Sequence, residues 1–269
     1  MAEEASVELP AVMHARVERA EASRIPRVIH QTFRSRRVPG AMASAVDTWI
    51  SMNPDYEYRL FDDADIHALA AGFDCSDLPF DRDALCRALH TIRPGAGRAD
   101  LFRYLLLYER GGVYMDIDTV CLAPLSRFVH PADDVVSGVG LRGDFHQWGL
   151  IYSPRHPFMK RALENAVSNV LRRTFVAGFE NTLEGLCGPP CLDLSIKQVL
   201  GIPAQARFRP GFYEFPIDGR VHRIRLLEGD LFGGQVAFKY DGYLEDLAQL
   251  GLRHWIEEAL FDDSADGPR

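Results

Sequence analysis

The segment that most constrains the fold is Arg98–Thr119, which joins an apolar helix, two glycines, a strand and two aspartates. Its large apolar side chains recur at the three- and four-residue spacing of one helix face. These are Leu101, Tyr104, Leu105 and Tyr108. Further apolar residues occupy most of the remaining helix surface, which predicts that the helix is buried. Gly111-Gly112 is expected to end it, because glycine adopts positive φ without strain.

Two charged residues interrupt this apolar helix. Asp100 and Arg103 are three positions apart, so their side chains lie on the same side of a helix. A charge on a buried helix must be paired or must face a cleft. We therefore expect Asp100 and Arg103 to belong to a functional site.

The strand after the glycines is predicted to end in two carboxylates. Val113–Ile117 suits a buried strand, and Asp116 and Asp118 would share one face of it, since side chains alternate along a strand. Such a strand end is where α/β folds place ligands. Paired carboxylates bind Mg²⁺ or Mn²⁺, and the cation would neutralise a diphosphate and stabilise it as a leaving group. The alternative is a solvated strand end with two acids.

The order of the elements predicts an α/β fold with a mainly parallel sheet, because early strands alternate with helices. A closing helix is predicted over 243–260 and a loop over 174–190. The expected division of the chain is an N-terminal tail or helix over 1–24, a single domain over 25–260 and a C-terminal tail over 261–269.

The net charge of −8 argues against a general nucleic-acid binder, which needs a basic surface. An anionic substrate would need a metal or local arginines. No apolar run approaches the roughly 18 residues of a membrane span, and no signal peptide is visible. Five scattered cysteines indicate a reduced, cytoplasmic protein without a disulfide framework. Cys187 and Cys191 lack a second pair at zinc spacing and are expected to be core thiols.

Two reaction classes fit the acid pair. In the first, a metal holds a nucleoside diphosphate-sugar. In the second, the run Val113–Val120 resembles the nucleophile motif of haloacid dehalogenase-type phosphatases, with Gly229-Asp230 and Lys160 as further candidates. That motif usually opens its fold, whereas a long segment precedes it here. Thr119 also stands where glycine is typical, and the charged pair on the helix would have no role.

Several separated motifs occur in the order of one known family. They are IPRVIHQTF (25–33), W…NP-x-YEY (49–58), RADLFRY (98–104), GGVYMDID (111–118), HPF (156–158), GP (188–189) and HW (254–255). The chain resembles the DXD-motif glycosyltransferase family of outer-chain mannosyltransferases and bacterial capsular polysaccharide glycosyltransferases. The catalytic domains of clostridial glucosylating toxins are more distant relatives of that family.

The resemblance implies a GT-A type, Rossmann-like nucleotide-sugar-binding domain with additional C-terminal helices. It implies a metal-dependent retaining glycosyltransferase that moves a hexose from a UDP- or GDP-sugar to a hydroxyl acceptor, with Mn²⁺ or Mg²⁺ as cofactor. The acceptor, a glycan, lipid or protein, stays open.

The resemblance also assigns site residues. The roles are catalysis and donor-sugar binding for Asp100 and Arg103, nucleotide binding for Thr32, Phe33 and Asp116, and metal binding for Asp116, Asp118 and His254, with Trp255 as a further candidate. The family usually has Trp at Phe33, Asn near Gln147 and His at Arg253. These departures keep open a relative that binds nucleotide-sugar with little or no catalysis.

Overall fold

The computed structural model describes residues 6–18, 21–229, 232–251 and 258–262. The strands are β1 (Val7–Glu8), β2 (Val12–Met13), β3 (Val28–Thr32), β4 (Arg37–Val38), β5 (Glu57–Phe61), β6 (Gly112–Met115), β7 (Val120–Cys121), β8 (Val135–Val139), β9 (Phe145–Tyr152), β10 (Gly211–Ile217), β11 (Arg220–Glu228) and β12 (Val236–Ala237). The helices are α1 (Gly40–Met52), α2 (Asp63–Gly72), α3 (Arg82–Thr91), α4 (Gly95–Arg110), α5 (Pro157–Arg172), α6 (Leu183–Leu186), α7 (Pro189–Leu200) and α8 (Tyr243–Gln249).

The main sheet has eight strands in the order β10-β11-β8-β9-β6-β3-β5-β2. The α/β class is confirmed, but the expectation of a mainly parallel sheet is wrong. Parallel pairing joins β11 to β8, β6 to β3 and β3 to β5, and the other neighbours are antiparallel. Short connections explain the difference, because β8–β9 and β10–β11 are linked too closely in sequence for a parallel crossover.

Helices cover both faces of this sheet, and the strand residues alternate between the two cores. Tyr114 of β6 packs into the core beneath α4, α5 and α7, whereas Val113 and Met115 pack into the core that contains Trp49 of α1. Every residue of α4 from Asp100 to Tyr108 is buried, as its sequence predicts. The α4–β6 segment therefore lies in the middle of the protein, with β6 inside the sheet and α4 packed against one of its faces.

The N-terminal residues join the sheets. β1 pairs with β4, β2 pairs with β5 at the sheet edge, and Leu9 between them is buried. For residues 6–18 the expectation of a tail or helix is therefore wrong. The short strands β1 and β2 pair with other strands, and Leu9 between them is buried. The remaining domain division stays a prediction.

Two segments in the second half of the chain differ from their predicted secondary structure. The helix expected over 243–260 stops at Gln249, because Gly251 takes up a left-handed turn (φ +66°), and the short segment 258–262 is not helical. The loop expected over 174–190 contains α6 and the start of α7 at Pro189. Among the described residues, the helices lack the length and apolar character needed to cross a membrane.

Candidate active site

The two carboxylates lie in a turn rather than on a strand. β6 ends at Met115, and both the backbone N–H and the hydroxyl of Thr119 donate to the Asp116 carbonyl, at 3.1 and 2.6 Å. The expectation that Asp116 and Asp118 share one face of a strand is therefore wrong. Thr119 closes a turn at the point where the strand pattern would have continued. This turn still keeps the two acids close enough to interact electrostatically.

Neighbouring elements hold this turn from three sides. Gln31, near the end of β3, donates its side-chain amide to the Asp116 carbonyl at 3.1 Å. The backbone N–H of Asp116 donates to Trp148 of β9 at 2.8 Å, and the indole N–H of Trp49 in α1 donates to the Thr119 carbonyl at 3.1 Å. The acid pair is thus set by the sheet and by α1.

Arg103 connects the two acidic sites that the sequence singled out. Its Nη2 lies 3.1 Å from Oδ1 of Asp100 and 3.0 Å from Oδ1 of Asp116. Its Nη1 donates to the Gln147 carbonyl at 2.8 Å, and the guanidinium lies 4.7 Å from the centre of the Tyr114 ring. The two charges that the sequence placed on one side of the helix therefore form an ion pair, and this pair extends to the acid turn.

Burial raises the pKa of all three carboxyl groups. Desolvation raises the pKa of Asp100 to about 7, against the opposing attraction of Arg103. Desolvation and the nearby charge of Asp116 raise the pKa of Asp118 to about 7. Desolvation also raises the pKa of Asp116, which Arg103 counteracts. Negative charge accumulates here beyond what one guanidinium neutralises, which favours binding of a cation.

The acid pair suits a hard divalent cation. Oδ1 of Asp118 is buried and has no hydrogen-bond partner among the described residues, and a buried acceptor of this kind needs a donor or a metal. The Asp116 side chain keeps 28% of its surface exposed, so the site opens to solvent. Within the described residues no third His, Cys, Asp or Glu completes a metal cluster. Phosphate oxygens of a ligand are ordinary partners for Mg²⁺ in sites with few carboxylates.

The expected nucleotide-binding residues lie at the same end of the sheet. β3 and β6 are parallel neighbours, so Thr32 at the end of β3 is level with the acid turn. Its hydroxyl donates to the Phe61 carbonyl at 2.9 Å, and Phe33 is half-buried against the core. Binding of a nucleotide by Thr32 and Phe33 stays a prediction. His254 and Trp255, the remaining predicted site residues, lie outside the described residues.

A second group of residues supports Asp100 and was not identified from the sequence. The Gln147 side-chain amide donates to the Tyr104 hydroxyl at 2.5 Å and to the Cys187 carbonyl at 2.8 Å. The Cys187 thiol in turn donates to Oδ2 of Asp100 at 3.6 Å. The expectation of core thiols holds for Cys187 and Cys191, which are buried and free. Their closeness to the site follows from tertiary packing, which no local pattern reveals.

Lys160, the candidate lysine of the phosphatase interpretation, does not lie at the acid pair. Lys160 lies 3.6 Å from Asp77, which the Tyr108 hydroxyl also contacts. Tyr108 is in the last turn of α4, before β6 begins, whereas Asp116 follows the end of β6. Lys160 and the acid pair are therefore at opposite ends of the strand.

Comparison with known proteins finds a family match over part of the chain. Residues 39–136, which contain all four charged residues of the site, match the family model described as "Glycosyltransferase sugar-binding region containing DXD motif". The match agrees with the resemblance to DXD-motif glycosyltransferases that the sequence motifs indicated.

The relatives are yeast proteins. Inositol phosphoceramide mannosyltransferase 3 of Schizosaccharomyces pombe is 29% identical over 147 residues, which are 54% of this chain and 38% of that protein. Mannosyl phosphorylinositol ceramide synthase SUR1 of Saccharomyces cerevisiae is 32% identical over 178 residues, 65% of this chain and 42% of that protein. The chain thus spans less than half the length of these relatives. Among solved structures, the PaToxG glycosyltransferase aligns with 65% of this chain and 69% of its own, at 17% identity and a TM-score of 0.49.

Proposed function

We propose that the protein is a metal-dependent retaining glycosyltransferase of GT-A type, which transfers a hexose from a nucleoside diphosphate-sugar to a hydroxyl acceptor. The observation that carries the proposal is the single cluster formed by Asp100, Arg103, Asp116 and Asp118 inside the region that matches the DXD family. Mannose is the first donor sugar to test, because one matching yeast relative is named a mannosyltransferase and another a mannosyl phosphorylinositol ceramide synthase.

Asp116 and Asp118 are the residues that would hold Mn²⁺ or Mg²⁺. When bound, the cation supplies positive charge to the diphosphate of the donor and to the leaving group. The orphaned Oδ1 of Asp118 supports this assignment, because an ionised carboxylate without a partner is unfavourable in the interior.

Arg103 positions both acidic sites. Four hydrogen bonds or ion pairs occupy its guanidinium: Asp100, Asp116 and the carbonyls of Ala99 and Gln147. It therefore fixes Asp100 relative to the acid turn, and Asp100 is the group that would accept hydrogen bonds from the hydroxyls of the donor sugar. Fixed groups of this kind stabilise developing charge without reorganising during the reaction.

The acceptor approaches from the open side of the acid turn in this scheme. Retention requires that the acceptor hydroxyl reach the face from which the diphosphate departs. Catalysis would then depend on electrostatic stabilisation of the departing diphosphate. A glycan, lipid or protein hydroxyl fits this chemistry. The names of the yeast relatives make an inositol phosphoceramide the first lipid acceptor to test.

A donor panel tests the proposal. The protein is incubated with Mn²⁺ and a set of UDP- and GDP-sugars, including GDP-mannose, and release of nucleoside diphosphate is measured. Metal-dependent release that is lost in Asp118→Ala supports the proposal. Near wild-type release from Asp118→Ala would overturn it, a thermal shift without release would indicate a binding protein, and release of phosphate from a generic phosphoester would indicate a phosphatase.

A further inference from the structure

We propose that Lys239 binds the diphosphate of the donor and stabilises its charge as it departs. This inference rests on the proposed function and assigns to it a residue from the C-terminal part of the chain. Two observations support it. Lys239 lies beside the acid turn, and the other cationic side chain of the site, Arg103, is already bound by protein groups.

Arg103 is fully engaged with protein groups. Its side chain is 6% exposed, and its three nitrogens contact two carboxylates and two backbone carbonyls. Four of its five N–H donors are in use, and the buried side chain leaves little access for an incoming phosphate group. A further cationic side chain on the solvent side of the acid pair would complement the metal in binding the diphosphate.

The segment that contains Lys239 is tied to the acid turn. β12 pairs with β7, which follows the turn directly, with Ala237 opposite Val120. Three residues later, the backbone N–H of Tyr240 donates to the carbonyl of Asp118 at 3.0 Å. Lys239 directly precedes Tyr240 and is therefore adjacent to that contact.

The side chain of Lys239 is directed by two aromatic rings. Its Nζ lies 5.4 Å from the centre of the Phe238 ring and 5.5 Å from that of Tyr243, within the range of cation–π attraction. Phe238 in turn stacks on Trp148, with ring centres 5.0 Å apart, and the carbonyl of Trp148 accepts the backbone N–H of Asp116. Contacts therefore run continuously from the acid turn to Lys239.

The backbone and environment of Lys239 fit a binding role. Lys239 has φ +64°, a left-handed conformation that a residue with a side chain keeps only where its surroundings impose it, often at functional sites. The residue is exposed, and among the described residues it has no ion-pair partner within 4.0 Å. An exposed ammonium on the segment that is bonded to the acid turn can donate to phosphate oxygens without first breaking an ion pair.

Removing the charge of Lys239 should have opposite effects on the binding of Mn²⁺ and on the binding of the diphosphate. Lys239 repels a cation at the acid pair, whereas it attracts the diphosphate. Lys239→Gln should therefore bind Mn²⁺ alone as tightly as the wild type or more tightly. In the presence of Mn²⁺ it should bind GDP or UDP about tenfold more weakly or worse, the loss expected for one hydrogen bond to a charged group. Lys239→Arg should retain most of the affinity for the diphosphate.

Isothermal titration of the full chain with Mn²⁺ alone, and with GDP and UDP in the presence of Mn²⁺, measures both effects. Lys160→Gln is the matched control, because Lys160 is paired with Asp77 at the other end of β6 and should leave both affinities unchanged. Diphosphate binding by Lys239→Gln equal to the wild type would overturn the inference. So would a parallel loss of Mn²⁺ and diphosphate binding without rescue by arginine, since that pattern indicates a structural role. If the wild type binds neither nucleotide with Mn²⁺, the proposed function fails as well.

Discussion

Replacing Asp118 by asparagine is expected to stabilise the metal-free protein and to remove its response to metal. The Asp118 side chain is almost fully buried, its Oδ1 has no hydrogen-bond partner among the described residues, and Asp116 adds a second negative charge nearby. Asparagine has nearly the same shape without the charge. The substitution therefore removes the desolvation penalty and leaves the packing in place.

The size of the effect follows from the pKa of Asp118. Burial and Asp116 raise it to about 7 in the folded protein, against about 3.9 in an unfolded chain. Because the folded state holds the proton more tightly, the wild type loses stability as the pH rises through this interval. The gain from Asp118→Asn should be about 4 kcal/mol near pH 8 and about 1.5 kcal/mol near pH 5, as an upper bound.

Urea unfolding in the presence of EDTA, at about pH 8 and about pH 5, measures this gain. Asp133→Asn is the matched control: Asp133 is also buried, but it forms two hydrogen bonds with Arg225, at 2.9 and 3.0 Å. That control should destabilise the protein, because it breaks a buried pair. A destabilised Asp118→Asn protein, or a gain that does not depend on pH, would refute the reasoning.

Three further substitutions test the surroundings of the site. Arg103→Met should lower the free energy of unfolding by about 3–5 kcal/mol, because it leaves the buried carboxylate of Asp100 and the half-buried carboxylate of Asp116 without their cation; an unchanged urea midpoint would contradict this. Gly112→Ala should lower it by about 2–4 kcal/mol, since Gly112 has φ +107° and the added Cβ would lie 2.8 Å from the Val28 carbonyl; thermal unfolding measures it. Burial lowers the pKa of His30 to about 3, so the unfolded chain binds the extra proton below about pH 6.5 and acid destabilises the wild type. His30→Gln should reduce that loss by about 2 kcal/mol at about pH 4.5, and an equal loss in both proteins would contradict it.

The helix–glycine–strand segment was predictable because its signals are local. The apolar spacing along α4 indicated burial, and the three-residue separation of Asp100 and Arg103 placed them on one side, where they form an ion pair at 3.1 Å. Gly111 ends the helix with φ +64°, as a helix-terminating glycine does. The turn at Asp116 was missed, because it depends on hydrogen bonds from Thr119 that the strand pattern does not show.

Features that depend on long-range pairing were not predictable. The mixed sheet arises from β9, which lies between β6 and β8 and is antiparallel to both, and strand order of this kind has no signature in hydrophobic periodicity. The positions of Cys187 and Lys239 at the site likewise depend on how α6, α7 and the segment after β12 pack. Neither residue belongs to a periodic pattern, so no local signal places them near Asp100 or Asp118.

The central claim is that the acid turn binds a divalent cation together with a nucleoside diphosphate. Titration of the full chain with Mn²⁺, followed by electron paramagnetic resonance of free Mn²⁺, tests it directly when performed with and without GDP or UDP. We expect one bound Mn²⁺ whose affinity increases when the diphosphate is present and which is lost in Asp118→Asn. Equal Mn²⁺ binding by the wild type and Asp118→Asn, or an affinity that neither nucleotide changes, would contradict it.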